Sequence, residues 1–532
     1  MKNKIFLGLV SLLIFVFFGW FLSNDIFSGD DIAVISAWLQ EGGKFNFDGI
    51  ITAFISHVYS KDIPLLFHIN PHEFSMTAGA WIRAFDVTVL CLMMSFFFFN
   101  GRKITGKISL IALFSAFYFS YACANIEFKC FNPNLIPNNN LDGSFVLLTE
   151  YSQHFGQLFN LIIGLCFLYF LIFHFTQNKI PDKKHLFLIC IFSFLTAMSS
   201  LFVNVVCGFA LTAAVLYLFI INIKSLKNEN TKILLFPFLS YIAGSIAFAV
   251  YPGYLNFFKT DFNFLKISKT IFKNFVMLNS MEIALIVILS AILFFLAAKK
   301  TTYIKRTLFV VYASLAGAYT YFYLFSSLNF LIPTFLTESQ VLLRILLMSF
   351  VFLLFGSCIK EHQSEPKELK VISACFSLLL AAFFVVQAPL VWASMSIWRN
   401  VSQETKNVTY CIEKMYRFYS LRNKTALLPD DSLLKIFKIR NFVDDKNVDI
   451  DEMITNRTFF KHTTFTEEYY KTFYKNPNIV AYKFIDSKTA LKIFFEEGGM
   501  IDAKELGHIN FQNLYNDEFV LNRAYKKDKF NS

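Results

Sequence analysis

Residues 5–22 read Ile-Phe-Leu-Gly-Leu-Val-Ser-Leu-Leu-Ile-Phe-Val-Phe-Phe-Gly-Trp-Phe-Leu, with no charge, directly after Met1-Lys2-Asn3-Lys4. A helix that crosses the hydrocarbon of a bilayer needs about 20 mostly apolar residues, and this run supplies that length. It is too long for the apolar part of a cleavable leader, and no small-x-small site follows it, so an uncleaved first helix is expected. Outward from this stretch, similar runs recur at 84–100, 108–125, 157–175, 186–203, 205–223, 233–250, 279–298, 307–325, 341–358 and 371–394. The expected fold is therefore an α-helical polytopic membrane protein with about eleven spans. The fifth and sixth runs are separated only near Asn204 and read as a tight hairpin.

Composition agrees. Of 532 residues, 55% are hydrophobic and 16% charged, and Phe alone accounts for 69. With a mean hydropathy of +0.50, this excludes a soluble globule, coiled coil, collagen, disordered tail or disulfide scaffold. A formal net charge of +11 would suggest nucleic acid for a soluble protein. Here the positive residues fall between apolar runs, where they report topology, and no nucleic-acid partner is expected.

Alternate connections carry those charges: Lys2 and Lys4; Arg102, Lys103 and Lys107; Lys179, Lys183 and Lys184; Lys224, Lys227 and Lys232; Lys299, Lys300, Lys305 and Arg306; Lys360, Lys367 and Lys370. The positive-inside rule assigns these short loops, and the N-terminus, to the cytoplasm. The connections 23–83, 126–156, 251–278 and 326–340 then face outward. An odd number of spans sends the C-terminal part out as well. A composition shift near 396 separates a transmembrane module, 1–395, from a charge-mixed segment, 396–532. In that segment β-like runs (Thr425–Leu428, Ile479–Ile485) alternate with helical ones such as Glu404–Tyr419. It reads as a small extracytoplasmic α/β domain. Cys123 and Cys130, near an outer helix end, either form a disulfide or remain thiols.

The sharpest polar feature is Ser28-Gly29-Asp30-Asp31, just past the first run and before a short amphipathic stretch, Ile32 to Leu39. Asp30 and Asp31 there either cap an interfacial helix or form a catalytic carboxylate pair. In the second reading one acts as general base, and either offers hard oxygens to a divalent cation such as magnesium or manganese. With Asn100-Gly101-Arg102, Tyr251-Pro252-Gly253-Tyr254, and Pro333 with Arg344, this pair resembles a bacterial branch of the GT-C superfamily of membrane glycosyltransferases, in layout over residues 1–430. The resemblance implies a sugar donor on a polyprenyl-phosphate carrier and an acidic base in the first outer loop, with a glycan, lipid or protein acceptor.

Independently, an outward-facing transferase without a phosphate-binding glycine loop needs a lipid-delivered donor. Three outer cations could meet its phosphate. Arg344 lies about one turn inside the tenth run, either as a phosphate ligand or paired with Glu338 or Glu282. Arg83 either joins it or snorkels from a helix end. Lys259, with Lys266, Lys269 and Lys273, forms either a headgroup-attracting strip or a solvated face. His68, His72 and Glu73, near His57 and Asp62, and separately Glu150 and His154, are candidates for lining the substrate cavity. Pro71 between the two histidines argues against a helical zinc pair. The rival functions are a transporter or flippase of lipid-linked sugars and a non-catalytic envelope assembly protein.

Overall fold

A computed structural model describes residues 2–23, 35, 39, 49–69, 71–99, 107–123, 151–177, 183–221, 229–250, 275–276, 279–297, 302–327, 333–361, most positions from 374 to 395, 426–428 and 479–481. Helices lie over the apolar runs. They are α1 (Lys2–Leu22), three short helices α2 (Ile50–His57), α3 (Ile63–Phe67) and α4 (Pro71–Met76), then α5 (Ala78–Phe99), α6 (Lys107–Cys123), α7 (Tyr151–Gln177), α8 (Lys183–Met198), α9 (Leu201–Ile221), α10 (Glu229–Val250), α11 (Ser280–Ala297), α12 (Thr302–Ser327) and α13 (Pro333–Glu361). A π-helical turn, Val58–Asp62, joins α2 to α3. Among the described residues, five helices are long and apolar enough to cross a membrane by length and composition: α1, α5, α7, α9 and α13. This is a helical, membrane-spanning architecture.

The burial pattern is that of a protein dissolved in lipid. On α1, Val10, Ile14, Phe18 and Phe21 are buried, while Ile5, Leu9, Leu12, Leu13, Val16 and Trp20 are exposed. A helix apolar on every face suits hydrocarbon on one side and protein on the other. Several polar side chains are instead turned inward and satisfied by their own helix. The hydroxyls of Thr88, Ser95, Ser314, Ser349 and Ser357 each donate to the carbonyl four residues back. Without water, every polar group must find such an internal partner.

Side-chain contacts fix the relative directions of the helices. Met93 and Phe97 of α5 meet Cys166 and Tyr169 of α7 in the same order, so these two run parallel. Gly164 and Phe175 of α7 meet Val203 and Tyr217 of α9, again in parallel. Phe202 and Tyr217 of α9 meet Tyr321 and Phe309 of α12 in reverse order, so α12 is antiparallel. Tyr118 and Phe114 of α6 meet Arg344 and Phe352 of α13, also antiparallel.

Two ends follow. At one, Gly19 packs on Trp81, Phe18 on Phe119, and Tyr118 reaches Arg344. At the other, Phe98 packs on Phe355, and Arg306 donates to the Phe175 carbonyl at 2.9 Å while lying over the Phe175 and Tyr217 rings. The helix starts that bear Lys4, Lys107, Lys183, Lys184 and Lys305 belong to this second, basic end.

The junction expected near Asn204 lies earlier, at Ser199-Ser200, between α8 and α9. Ser200 has the cap position of α9, its hydroxyl accepting from the Val203 N–H at 3.5 Å, as a serine there favours. Asn204 sits inside α9 instead. Its amide donates to the Ala197 carbonyl at the end of α8, and the Tyr241 hydroxyl donates to Asn204 in turn. Among the residues beyond 396, Ala426–Leu428 and Ile479–Ala481 pair as two parallel strands, β1 and β2. Parallel pairing requires a long crossover between them.

Candidate functional site

Among the described residues, the buried charges gather at the end of the bundle away from the lysines. Arg344 on α13 is 6% exposed, Glu282 in the first turn of α11 is 2% exposed, and Tyr118 near the end of α6 is fully enclosed. The Tyr118 hydroxyl donates to Glu282 Oε1 at 2.5 Å and lies 3.4 Å from the Arg344 carbonyl oxygen. The Arg344 guanidinium rests over the Tyr121 ring, 5.6 Å from its centroid. Arg344 and Glu282 both act electrostatically on Tyr118 and Tyr121. Phe383 closes the cluster from the side, against Tyr118 and Tyr121.

Of the two carboxylates weighed as partners for Arg344, Glu282 shares Tyr118 as a neighbour with the Arg344 backbone; the Glu338 side chain lies outside the described residues. A chemical reason is available. An ion deep in hydrocarbon is costly unless an opposite charge and hydrogen bonds accompany it, and here three helices contribute one polar side chain each.

Arg83 departs from its sequence reading. It does not reach water as a snorkelling residue would, but is 1% exposed. The reason is that α5 begins at Ala78, earlier than the hydropathy run, with α4 folded over its start. Arg83 Nη2 donates to the Ser75 carbonyl at 3.1 Å, and Nε to that of Gly79 at 3.5 Å. One turn further along sits Asp86, 8% exposed, with Tyr59 of the π turn beside it. Burial first, and then the Asp86 charge, raise the Tyr59 hydroxyl above its ordinary range. Asp86 was not singled out from the sequence. The available signal was a carboxylate inside the second apolar run, which by default marks a functional position.

The segment between α1 and α5 contains short helices, α2 to α4, at this same end. The Thr52 hydroxyl accepts from the Asn160 amide of α7 at 2.6 Å. Phe54, Leu66 and Phe67 are exposed, as suits helices lying in the headgroup region. His57 Nδ1 and Asp62 Oδ2 are 3.0 Å apart across the π turn. His68 ends α3 in the left-handed conformation, φ 54°, and is exposed. Pro71 opens α4, a favoured first position. His68 and His72 therefore belong to different elements rather than to one helical face. Among the described residues, no group of three His, Cys, Asp or Glu side chains has metal-binding proximity.

In the stretch after α1, Ile35 and Leu39 have helical backbone, and Ile35 is fully buried. Asp30, Asp31, Glu150, Lys259 and Cys130, together with the side chains of His72, Glu73 and His154, lie outside the described residues. Cys123 is buried at the end of α6. Comparison with protein-family models, with curated proteins and with solved structures finds no match.

Proposed function

We propose that the chain is a GT-C-type membrane glycosyltransferase with about eleven spans and an outer C-terminal α/β domain. It transfers a sugar from a polyprenyl-phosphate carrier to a cell-envelope glycan, lipid or protein. What supports this reading is the asymmetry of the bundle. One end collects Lys4, Lys107, Lys183, Lys184, Lys305 and Arg306, which the positive-inside rule assigns to the cytoplasm. The other end holds Arg344, Glu282, Arg83 and Asp86, and α1 leaves the bundle there, a few residues before Asp30 and Asp31. Acidic and cationic groups would then meet at the outer boundary of the membrane, where a lipid-linked donor presents its phosphate.

In this mechanism Asp31 takes the proton of an acceptor hydroxyl, whose oxygen bonds to the anomeric carbon. The bond from that carbon to the phosphate oxygen breaks, and its electron pair leaves on the phosphate. Arg344 stabilises that charge, and Asp30 caps the following helix. The same two carboxylates would hold magnesium or manganese, and such an ion would add Lewis-acid assistance.

The test is sugar transfer from a polyprenyl-phosphate sugar by the full chain in nanodiscs. Asp31→Asn keeps the shape and removes the base, so its rate should fall by about 10²–10⁴-fold at unchanged membrane insertion. Arg344→Lys should retain part of the activity that Arg344→Ala loses, since lysine keeps the charge without the planar fork. Wild-type transfer by the Asp30→Asn/Asp31→Asn double variant would remove the enzyme reading. Movement of the labelled lipid across the membrane without product would favour a flippase.

A further inference from the structure

We infer that an apolar groove between α6, α13 and the helical positions 374–389 holds one acyl chain of an anionic phospholipid, taken from the leaflet at the basic end of the bundle. Phe376 stacks on Phe355 with ring centroids 3.6 Å apart, and Phe383 meets Tyr121 at 4.9 Å. The stretch 374–389 therefore runs from the basic end toward the other, in the same direction as α6. Beside it lies a cavity of about 650 Å³, a volume within the range of small-molecule sites, about 300–1,000 Å³. Its floor is made of buried rings, Phe98, Phe352 and Phe355, and its rim, Leu110, Phe384 and Val385, is exposed.

The depth of the groove matches one leaflet. Along the stretch 374–389 the lining extends from Phe376 to Val385, a helical rise of about 14 Å. Half of a hydrocarbon core about 30 Å thick is about 15 Å. Rings stop the groove at its inner limit. Phe384 lies 4.5 Å from Phe117, and Phe383 packs on Tyr118 and Tyr121. A straight acyl chain fits a slot of this length, whereas a long isoprenoid chain exceeds it.

Charge at the mouth selects the headgroup. Phe98 and Leu110 both line the groove, and the chain that joins them carries Arg102, Lys103 and Lys107 and no acid. Covalent connection alone keeps these three cations within a few residues of the mouth. Lys360 directly follows Ile359, another lining residue, but Glu361 follows it in turn, so the end of α13 adds no net charge. Basic groups beside a cleft between transmembrane helices favour anionic headgroups. The groove is distinct from the proposed donor chemistry, which uses other residues at the opposite end.

The experiment places the full chain in phosphatidylcholine vesicles with a trace of one photoreactive probe, phosphatidylglycerol or phosphatidylcholine, each with a diazirine on an acyl chain. Cross-linked peptides are then mapped. Phosphatidylglycerol should label α13 and 374–389 at the groove at least about tenfold more than phosphatidylcholine, as expected of a few nearby cations. Arg102→Gln/Lys103→Gln/Lys107→Gln should bring the two probes to equal labelling. Ala381→Trp puts an indole into the groove from an exposed helical position, so the chain should still fold while groove labelling by both probes is lost. Equal labelling of the unaltered chain by the two probes, a preference that survives the triple variant, or full labelling of Ala381→Trp would each overturn the inference. Unlabelled polyprenyl monophosphate should displace the phosphatidylglycerol probe less well than unlabelled phosphatidylglycerol does; displacement as good or better would give the groove to that carrier instead. Labelling that falls as protein density rises would give it to a second copy of the chain, with the same consequence. Sugar transfer plays no part in the readout, so failure of the transferase reading leaves this result standing.

Discussion

Tyr118 occupies a position where one oxygen serves two helices, and its loss is therefore felt twice. Tyr118→Phe removes a buried hydrogen bond to a charged carboxylate, 2.5 Å long, and should cost about 1.5–3 kcal/mol, the range for bonds to charged groups. Glu282→Ala should cost more, by about 1–3 kcal/mol, because it removes the same bond and leaves the Tyr118 hydroxyl buried without that acceptor. Thermal unfolding of the purified protein in mild detergent ranks the two. If Glu282→Ala proves the milder, the Tyr118–Glu282 bond is not what ties α6 to α11. Arg344 was recognisable in the sequence because a guanidinium among leucines is conspicuous. Its neighbours were not: Tyr118 and Glu282 are separated by 164 positions, and hydropathy carries no information on which helices touch. Asp86 escaped for a different reason. One acid lowers the average of an apolar window too little to interrupt it, so the run was read for its length rather than for its exception.

At the level of the helix, the sequence located the cores of the elements better than their ends. α5 starts at Ala78 and α13 at Pro333, each several residues before its apolar run. Both early turns contain Gly, Thr, Arg or Glu, which helices accept and hydropathy discounts. Helix contacts follow a second code, small residues that let backbones approach. A methyl group on Gly356 of α13 would overlap the Phe98 carbonyl oxygen at the end of α5, whereas one on Gly8 of α1 would meet nothing within 4 Å. Gly356→Ala should therefore destabilise by about 1–3 kcal/mol, as overpacking does, because backbone cannot step aside as a side chain can. Gly8→Ala, in the same chemistry, should lie within about 0.5 kcal/mol of wild type. Equal effects in the two variants, measured by unfolding in detergent, would show that the α5–α13 approach is looser than the geometry describes.

Across the whole molecule, direction matters more than count. The order of the contacts makes α5, α7 and α9 parallel, with α12 reversed against α9 and α6 reversed against α13. An alternating chain of spans requires this pattern, and it brings the basic helix starts to one end and Arg83, Asp86, Glu282 and Arg344 to the other. Charge asymmetry of that kind orients a membrane protein, since Lys and Arg in short loops are retained in the cytoplasm. The contacts bring these helix starts to one end of the bundle, and reporter fusions test which face of the membrane that end occupies. A reporter fused after Arg306 should be cytoplasmic. One fused after Ser532 should be outside, provided the described helical positions from 374 to 395 complete a further crossing beyond α13. The two fusions answer different questions. An outside signal at Arg306 would invert the bundle and put the Arg344 cluster on the cytoplasmic face, where soluble nucleotide sugars replace lipid donors and the proposed chemistry loses its premise. A cytoplasmic signal at Ser532 with Arg306 also cytoplasmic would leave the cluster outside but bring β1 and β2 to the opposite face, separating the C-terminal segment from any acceptor that the site serves.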